Sequence, residues 1–195
     1  MVDITTDMVK ALRDETGVSV MQCKKALTEA GGDMEKAKVM LRKASAAIAT
    51  KKADRSLGAG VVSAYVHAGA QVAGVVVLQS ETDFVSKNEE FGKLAYDIAM
   101  HVAAMNPKFI SRDDVKEADI KAAREVFTEE VQKVPEAART KALEGKIDSY
   151  LAERVLLEQT FVKDPNTTIR QLIDAAMQKF GEKIQVVRCE RFSVQ

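Results

Sequence analysis

Apolar side chains in the first fifty residues recur at three- and four-residue spacing, which is typical of one face of a helix. They fall in three groups: Met8 and Leu12, then Cys23, Ala26, Leu27 and Ala30, then Ala37, Leu41 and Ala44. Gly17 ends the first group, the pair Gly31 and Gly32 ends the second, and Asp33 can cap the third. The pattern predicts three short helices whose apolar stripes meet in one small core.

Residues 44–60 lose the helical periodicity and are rich in Ala, Ser, Gly and Lys, so we interpret them as a connecting segment that starts as helix. Beyond it, β-branched residues become frequent. Residues 61–66 and 72–78 are apolar runs whose short separation predicts a β-hairpin, and residues 184–192 form a third such run. The unbroken apolar character of the second run predicts a central strand that is covered on at least one face.

Helical spacing returns between the second and third of these runs. An apolar stripe over residues 91–102 predicts one helix, and residues 116–134, 136–158 and 168–180 show further helical patterns. Pro135 separates two of them, because proline does not continue a helix interior. The second half of the chain is therefore predicted to be mainly helical.

Together these elements predict the α+β class, with a three-helix N-terminal domain and then a core of about three antiparallel strands packed with helices on one side. We place the first domain at residues 1–50, a linker at 51–60 and the core domain at 61–195. A bundle this small buries little apolar area and is only marginally stable alone. We therefore interpret it as a recognition module attached to a larger domain.

The composition is that of an ordinary globular protein, with 46% apolar and 30% charged residues. Lys plus Arg and Asp plus Glu both number 29, so no positive field gathers phosphate backbones, and direct binding of nucleic acid is not expected. The sequence has no signal-peptide pattern and no apolar run of the roughly 20 residues that cross a bilayer. We therefore expect a cytoplasmic protein without membrane contact.

Residue patterns typical of catalysis or metal binding are few. Cys23 and Cys189 match no metal or redox spacing, and no spacing joins His67 or His101 to a carboxylate or nucleophile. The sequence also lacks a phosphate-binding glycine loop and a nucleophile elbow. We expect no cofactor, no metal and no enzymatic activity, while an enzyme with an unrecognised active site stays open as an alternative.

One segment differs from the rest in its chemistry. Residues 81–86, Glu-Thr-Asp-Phe-Val-Ser, follow the most apolar run and precede a predicted helix. The acidic Asp83 and the aromatic Phe84 therefore lie side by side on a turn that is held at both ends. Two interpretations are open: either Asp83 caps the next helix while Phe84 enters the core, or both side chains face a partner.

The run Thr82-Asp83-Phe84-Val85 resembles the signature of the elongation factor Ts family. Residues 9–13 and 16–27 resemble the family's N-terminal domain, which is a ubiquitin-associated-like bundle of three helices. Three further segments, 99–104, 107–110 and 156–165, resemble parts of its core domain. The similarity covers nearly the whole chain in the order that the family has.

The resemblance implies a translation factor that promotes the release of GDP from the GTPase elongation factor Tu and does no covalent chemistry. It also implies which loop does this. The loop of Thr82, Asp83, Phe84 and Val85 is expected to enter the nucleotide domain of the GTPase near its Mg²⁺ ion, and to displace the groups that hold the ion and the phosphates.

The same resemblance implies further contacts with elongation factor Tu. Leu12, Val20 and Met21 match family positions that present an apolar patch to the GTPase domain, although Leu12 also lies on the helix face assigned to the core. His101 matches a position that contacts the third domain of elongation factor Tu, and a packing role explains His101 equally well.

Long members of the family carry two successive core subdomains, whereas residues 91–104 here join the corresponding elements without interruption. This arrangement resembles the short form of the family, which has a single core unit. The resemblance implies a homodimer that binds two copies of elongation factor Tu. The main alternative is a passive adaptor that binds a helix or peptide through the N-terminal bundle without exchange activity.

Overall fold

The computed structural model describes residues 3–194, which form both helices and a small sheet. The helices are α1 (Thr6–Thr16), α2 (Val20–Glu29), α3 (Met34–Lys51), α4 (Asp83–Ser86), α5 (Glu89–Met105), α6 (Glu117–Val131), α7 (Glu136–Ala152) and α8 (Ile169–Phe180). The strands are β1 (Ala59–Val66), β2 (Val72–Ser80), β3 (Thr160–Phe161), β4 (Asp164–Thr168) and β5 (Ile184–Ser193). The predicted α+β class is confirmed.

The three N-terminal helices begin and end at the polar residues and glycines between the apolar stripes. The carboxylate of Asp33 accepts a hydrogen bond from the backbone N–H of Lys36 at 3.0 Å, which caps α3. Gly17 ends α1 in the left-handed conformation, with φ of 68°. The buried side chains of the bundle are Val9, Leu12, Val18, Cys23, Ala26, Leu27, Ala37 and Leu41. The three predicted helices and their shared core are therefore confirmed.

Helix α3 continues into the expected connecting segment and ends at Lys51. One stripe assignment is wrong, because Ala44 is exposed and Ser45 is buried in its place. Ala37, Leu41 and Ser45 follow each other at four-residue spacing and so share one helix face. The hydroxyl of Ser45 tolerates burial because it donates a hydrogen bond to the carbonyl of Leu41 at 3.0 Å.

The main sheet is antiparallel and has the strand order β1-β2-β5. The first two strands form the predicted hairpin, which is closed by a hydrogen bond from the His67 N–H to the carbonyl of Val72 at 2.9 Å. Gly69 supplies the left-handed conformation that this turn requires, with φ of 87°. Strand β2 lies between the other two and buries alternate side chains, so its predicted central position is confirmed.

The chain after α7 differs from the prediction of one helix over residues 136–158. Helix α7 ends at Ala152, and Leu156–Glu158 form a single 3-10 turn. The backbone N–H of Leu156 donates to the carbonyl of Phe109 at 2.8 Å, so pairing with a distant segment replaces the helical hydrogen bond. Strands β3 and β4 then form a two-stranded sheet that the sequence pattern does not predict.

The described chain divides into two compact units. The first contains the residues up to Ser63, together with Val77–Ala95 and Arg170–Val186. The second contains Ala64–Val76, Tyr96–Ile169 and the residues from Val187 onward. Strands β1, β2 and β5 and helix α5 therefore contribute residues to both units. The domain boundaries around the linker at 51–60 stay a prediction.

Gly74, on β2, offers a test of the packing in the second unit. A methyl group at this position would overlap the carbonyl oxygen of Ala99 and lie 2.8 Å from the backbone nitrogen of Ala103. Backbone atoms of a helix cannot move aside as a flexible side chain can. We expect Gly74→Ala to lower the free energy of unfolding by about 1–3 kcal/mol, the usual cost of overpacking, as measured by urea unfolding.

Gly145, inside α7, is the matched control. An added methyl group would meet nothing within 4 Å there. Gly145→Ala should raise the free energy of unfolding by about 0.5–1 kcal/mol, because alanine favours the helix. Wild-type stability in Gly74→Ala would contradict the close approach of β2 and α5.

Candidate partner-binding site

The candidate loop forms a single helical turn, α4, which follows strand β2. Thr82 precedes it in an extended conformation, with φ of −125° and ψ of 159°. Val85 and Ser86 are buried, with 3% and 8% of their surface exposed. Successive helical side chains are about 100° apart, so with Val85 and Ser86 on the buried side of α4 the side chain of Phe84 points away from that side. Phe84 is 84% exposed, and the interpretation that places its ring in the core is wrong.

Asp83 lies beside Phe84 on the exposed side of α4. Its carboxylate accepts a hydrogen bond from Nζ of Lys87 at 2.6 Å, and this ammonium group holds the pKa of Asp83 below its usual range. The cap of α5 is Asn88 rather than Asp83, because Oδ1 of Asn88 accepts the backbone N–H of Glu90 at 2.9 Å. At neutral pH the loop thus presents a carboxylate next to an aromatic ring.

The start of α4 is tied to the segment between α8 and β5. Glu182 accepts two hydrogen bonds from Thr82, one from its backbone N–H at 3.0 Å and one from its hydroxyl at 2.5 Å. In the opposite direction, the carboxylate of Glu81 accepts the backbone N–H of Lys183 at 2.5 Å and pairs with Arg55 at 3.2 Å. The Lys183 N–H first, and then Arg55, hold the pKa of Glu81 below its usual range.

Sequence reasoning missed Glu182 and Lys183. Glu182 lies 100 residues after Thr82, and the periodicity and capping rules link only residues that are close along the chain. The only sequence signal is weak: two charged residues follow Gly181 between a predicted helix and a predicted strand.

In the N-terminal bundle, two of the three predicted contact residues are exposed. Val20 and Met21 occupy the first turn of α2, and 53% and 81% of their surface is exposed. Leu12 is fully buried among the core side chains of the bundle, so its predicted place in an exposed patch is corrected. Its helix stripe faces the other two helices, and no atom of Leu12 is left for a partner.

His101 is also fully buried, which corrects the prediction that it contacts a partner. Its ring centroid lies 6.2 Å from that of Phe161. The backbone N–H of Val162 donates to Nδ1 at 3.3 Å, so Nδ1 is unprotonated and the proton sits on Nε2. Nε2 then donates to Oε1 of Gln159 at 2.9 Å. The imidazole joins α5 to the chain around β3.

Gln159 completes this network. Its Nε2 donates to the carbonyl of Glu153 at 2.6 Å, so the buried amide is satisfied on both its oxygen and its nitrogen. Burial lowers the pKa of His101, and the hydrogen bond to Gln159 opposes this only in part. His101 is therefore neutral at physiological pH and has a packing role.

Both cysteines are free thiols; Cys23 is buried in the N-terminal bundle and Cys189 is partly buried. Burial first, and then the carboxylates of Glu190 and Asp114, raise the pKa of the Cys189 thiol to about 11. Since the thiolate is the reactive form, this thiol is a poor nucleophile at neutral pH.

Within residues 3–194, no group of three or more His, Cys, Asp or Glu side chains could hold a metal ion. No helix in this part of the chain is both long and apolar enough to span a membrane.

The exposed side chains of the candidate site indicate a protein that acts by binding another protein. Met21 on α2 and Phe84 on α4 are large apolar side chains, 81% and 84% exposed, that another protein could cover on binding. The comparisons with known proteins are more specific. The family model described as Elongation factor TS matches residues 2–195.

Individual relatives agree with the family model. Elongation factor Ts of Herpetosiphon aurantiacus is 43% identical over 193 residues, which cover 98% of this chain and 98% of the relative. Elongation factor Ts of Acetivibrio thermocellus is 44% identical over 191 residues, or 97% of this chain and 89% of the relative. Elongation factor Ts of Thermotoga petrophila is 41% identical over 192 residues, or 98% and 96%. The chain belongs to the elongation factor Ts family and is a translation elongation factor.

The buried His101 network predicts a dependence of stability on pH. Burial places the pKa of His101 in the folded protein below its ordinary value of 6.5, so the unfolded chain binds the proton more readily. The contribution of His101 to stability is therefore complete above that ordinary pKa and is lost as the pH falls below it. Between about pH 7.5 and about pH 5.5, the free energy of unfolding should fall more steeply for the wild type than for His101→Gln.

Urea unfolding at several pH values measures this difference. His67→Gln is the matched control, because His67 is exposed in the hairpin turn and its replacement removes no buried group. We expect this variant to keep the wild-type slope. Identical slopes in the wild type and His101→Gln would show that the buried imidazole does not contribute to the acid sensitivity.

Proposed function

We propose that this chain is a guanine-nucleotide exchange factor that releases GDP from elongation factor Tu by contact alone, without forming or breaking a covalent bond. The observation that carries the proposal is the side chain of Phe84, which is 84% exposed next to the carboxylate of Asp83 on a turn held at both ends. Membership of the elongation factor Ts family supports elongation factor Tu as the partner.

The loop of Thr82, Asp83, Phe84 and Val85 acts on the nucleotide site of the GTPase through its magnesium ion. A translational GTPase holds GDP through a phosphate-binding loop and a Mg²⁺ ion that requires near-ideal octahedral oxygen geometry. An aromatic ring and a carboxylate that enter beside this ion shift its ligands. A small displacement of these ligands weakens the binding of the ion and of the GDP phosphates together.

The energy of the ring sets a limit on what the loop does alone. Full burial of a phenylalanine contributes roughly 1.5–3 kcal/mol, which is one to two powers of ten in an equilibrium constant. Phe84 is exposed in the free chain, so this energy becomes available when a partner covers the ring. The rest of the interface has to supply additional binding energy that is expressed only with a distorted nucleotide site.

Val20 and Met21 supply part of this additional binding energy. Both side chains are exposed at the first turn of α2, and an exposed methionine adapts its flexible thioether to a partner surface. Coupling between exchanger and nucleotide is reciprocal, so GDP weakens the binding of the exchanger by the factor by which the exchanger weakens GDP. Incoming GTP can then displace the exchanger from the GTPase.

The proposal includes a cytoplasmic homodimer that binds two copies of elongation factor Tu. The supporting observation lies in the second unit, where Val66 at the end of β1 and Val187, Phe192 and Val194 at and after β5 are exposed. A second chain that covers these side chains would remove apolar surface from water, which is favourable. The relatives from Herpetosiphon aurantiacus and Thermotoga petrophila are of nearly the same length as this chain, which supports the short form of the family from which the homodimer is expected.

Phe84→Ala tests the role of the loop. We expect the variant to slow the stimulated release of fluorescent GDP from elongation factor Tu by about 10-fold or more, because the energy of burying the ring is lost. Its melting temperature should stay close to that of the wild type, because the ring makes little contact within its own chain.

Val126→Ala is the control, because Val126 is an exposed apolar residue on α6, outside the proposed site. Its exchange rate should equal that of the wild type. Unchanged exchange in Phe84→Ala would contradict the wedge, and a collapsed melting temperature would assign the ring a structural role.

Concentration-dependent light scattering tests the homodimer. We expect the scattering mass to approach twice that of one chain as the concentration rises, because the exposed apolar residues of the second unit become covered. Phe192→Asp should shift this equilibrium towards the monomer by placing a charge in an apolar interface. A mass of one chain at all concentrations would refute the dimer and leave the exchange proposal in place.

A further inference from the structure

Helix α4 is four residues long, so its direction is fixed by groups outside it. A single helical turn does not repay the entropy of its own nucleation and is not stable alone. The buried side chain of Val85 holds one side of α4, and the hydrogen bonds of Thr82 hold its start. These contacts decide where Asp83 and Phe84 point.

Thr82 is used in an unusual way. A threonine that precedes a helix normally accepts a hydrogen bond from a free N–H of the first turn through its own hydroxyl. Thr82 makes no such bond, and its hydroxyl donates to the carboxylate of Glu182 instead. The backbone N–H of Thr82 donates to the other oxygen of the same carboxylate. One side chain therefore accepts from both hydrogen-bond donors of Thr82, the residue that precedes α4, while the carbonyl of Thr82 accepts from the Ser80 hydroxyl at 3.0 Å.

Glu182 is itself held in place by its two neighbours in sequence. The carbonyl of Gly181 accepts a hydrogen bond from Nζ of Lys52 at 2.5 Å. The ammonium group of Lys183 donates to the carbonyl of Arg55 at 3.0 Å, and its backbone N–H donates to the carboxylate of Glu81. The segment is thus tied on both sides of Glu182, and the carboxylate meets Thr82 without a large loss of freedom.

We propose that Glu182 is a positioning residue for nucleotide exchange, which aims Asp83 and Phe84 by holding the N–H and hydroxyl of Thr82. Glu182 acts through Thr82 and needs no contact with the GTPase. The inference rests on the proposed function of the loop and adds a residue from a distant part of the chain.

The direct test is a measurement of the mobility of residue 84 in the free protein. The chain contains no tryptophan, so Phe84→Trp introduces a single tryptophan at the tip of the loop, which is excited at wavelengths that the three tyrosines do not absorb. In the Phe84→Trp background, Glu182→Ala should add a fast, large-amplitude component to the anisotropy decay of the tryptophan. Glu182→Gln should restore slow decay, because the amide oxygen accepts the Thr82 N–H and the amide N–H donates to the Thr82 hydroxyl.

The second arm measures exchange with the native Phe84. Glu182→Ala should slow the stimulated release of GDP from elongation factor Tu by about tenfold, of the order expected from losing a hydrogen bond to a charged group. Glu182→Gln should stay within about twofold of the wild type. Glu144→Ala, at an exposed position of α7, is the matched control and should change neither the anisotropy decay nor the exchange rate.

The outcomes separate the inference from the function on which it rests. An unchanged anisotropy decay in Glu182→Ala overturns the positioning role, and so does a changed decay with wild-type exchange. If the wild type itself does not stimulate release, the proposed function fails, while the anisotropy arm still reports whether Glu182 orders the loop. If Glu182→Ala does not fold, Thr82→Val removes only the hydroxyl contact and should raise the mobility less. No change in that variant would overturn the inference.

Discussion

Orientation of a one-turn helix is the constraint on which the candidate site depends. Val85 is buried on one side of α4, and the carboxylate of Glu182 holds the residue from which the helix starts. With Val85 and Ser86 both on the buried side of α4, the 100° rotation per residue places Phe84 on the opposite, exposed side. The exposure of the ring follows from the burial of the two residues after it and from the fixed start of the helix.

Charge is arranged to support the same turn. The two acids of the segment have different roles, since Glu81 is engaged by the Lys183 N–H and Arg55 whereas Asp83 is exposed and paired with Lys87. An exposed ion pair contributes little to stability, so breaking the Asp83–Lys87 pair for a new partner costs little. Within three residues, the carboxylate of Glu81 therefore holds the fold and the carboxylate of Asp83 is available to a partner.

Local sequence rules were sufficient where the signal lies within one segment. The glycine after α1, the cap at Asp33 and the apolar stripes predicted the N-terminal helices, and the two apolar runs predicted the hairpin. A stripe shows which face of a helix is apolar, but it does not show whether that face is covered. The resemblance to the family predicted that Leu12 and His101 contact a partner, whereas the stripe placed Leu12 in the core, and both side chains are buried.

Prediction failed mainly where distant segments meet. Pairing of Leu156 with Phe109 ends the helical pattern after α7, and Glu182 reaches Thr82 across 100 residues. No periodicity encodes either contact, because both depend on the assembled fold. The acidic and aromatic pair at 83–84 was visible in the sequence, whereas the residue that orients it became visible only in the structure.

As an exchange factor, this chain would open the nucleotide site of elongation factor Tu. Stopped-flow release of fluorescent GDP, recorded at increasing concentrations of the wild-type chain, tests it most directly. The release rate should rise with the concentration of the chain and saturate as the complex forms. A release rate that stays at its spontaneous value, while binding to elongation factor Tu is detected in parallel, would contradict the account and identify a passive adaptor.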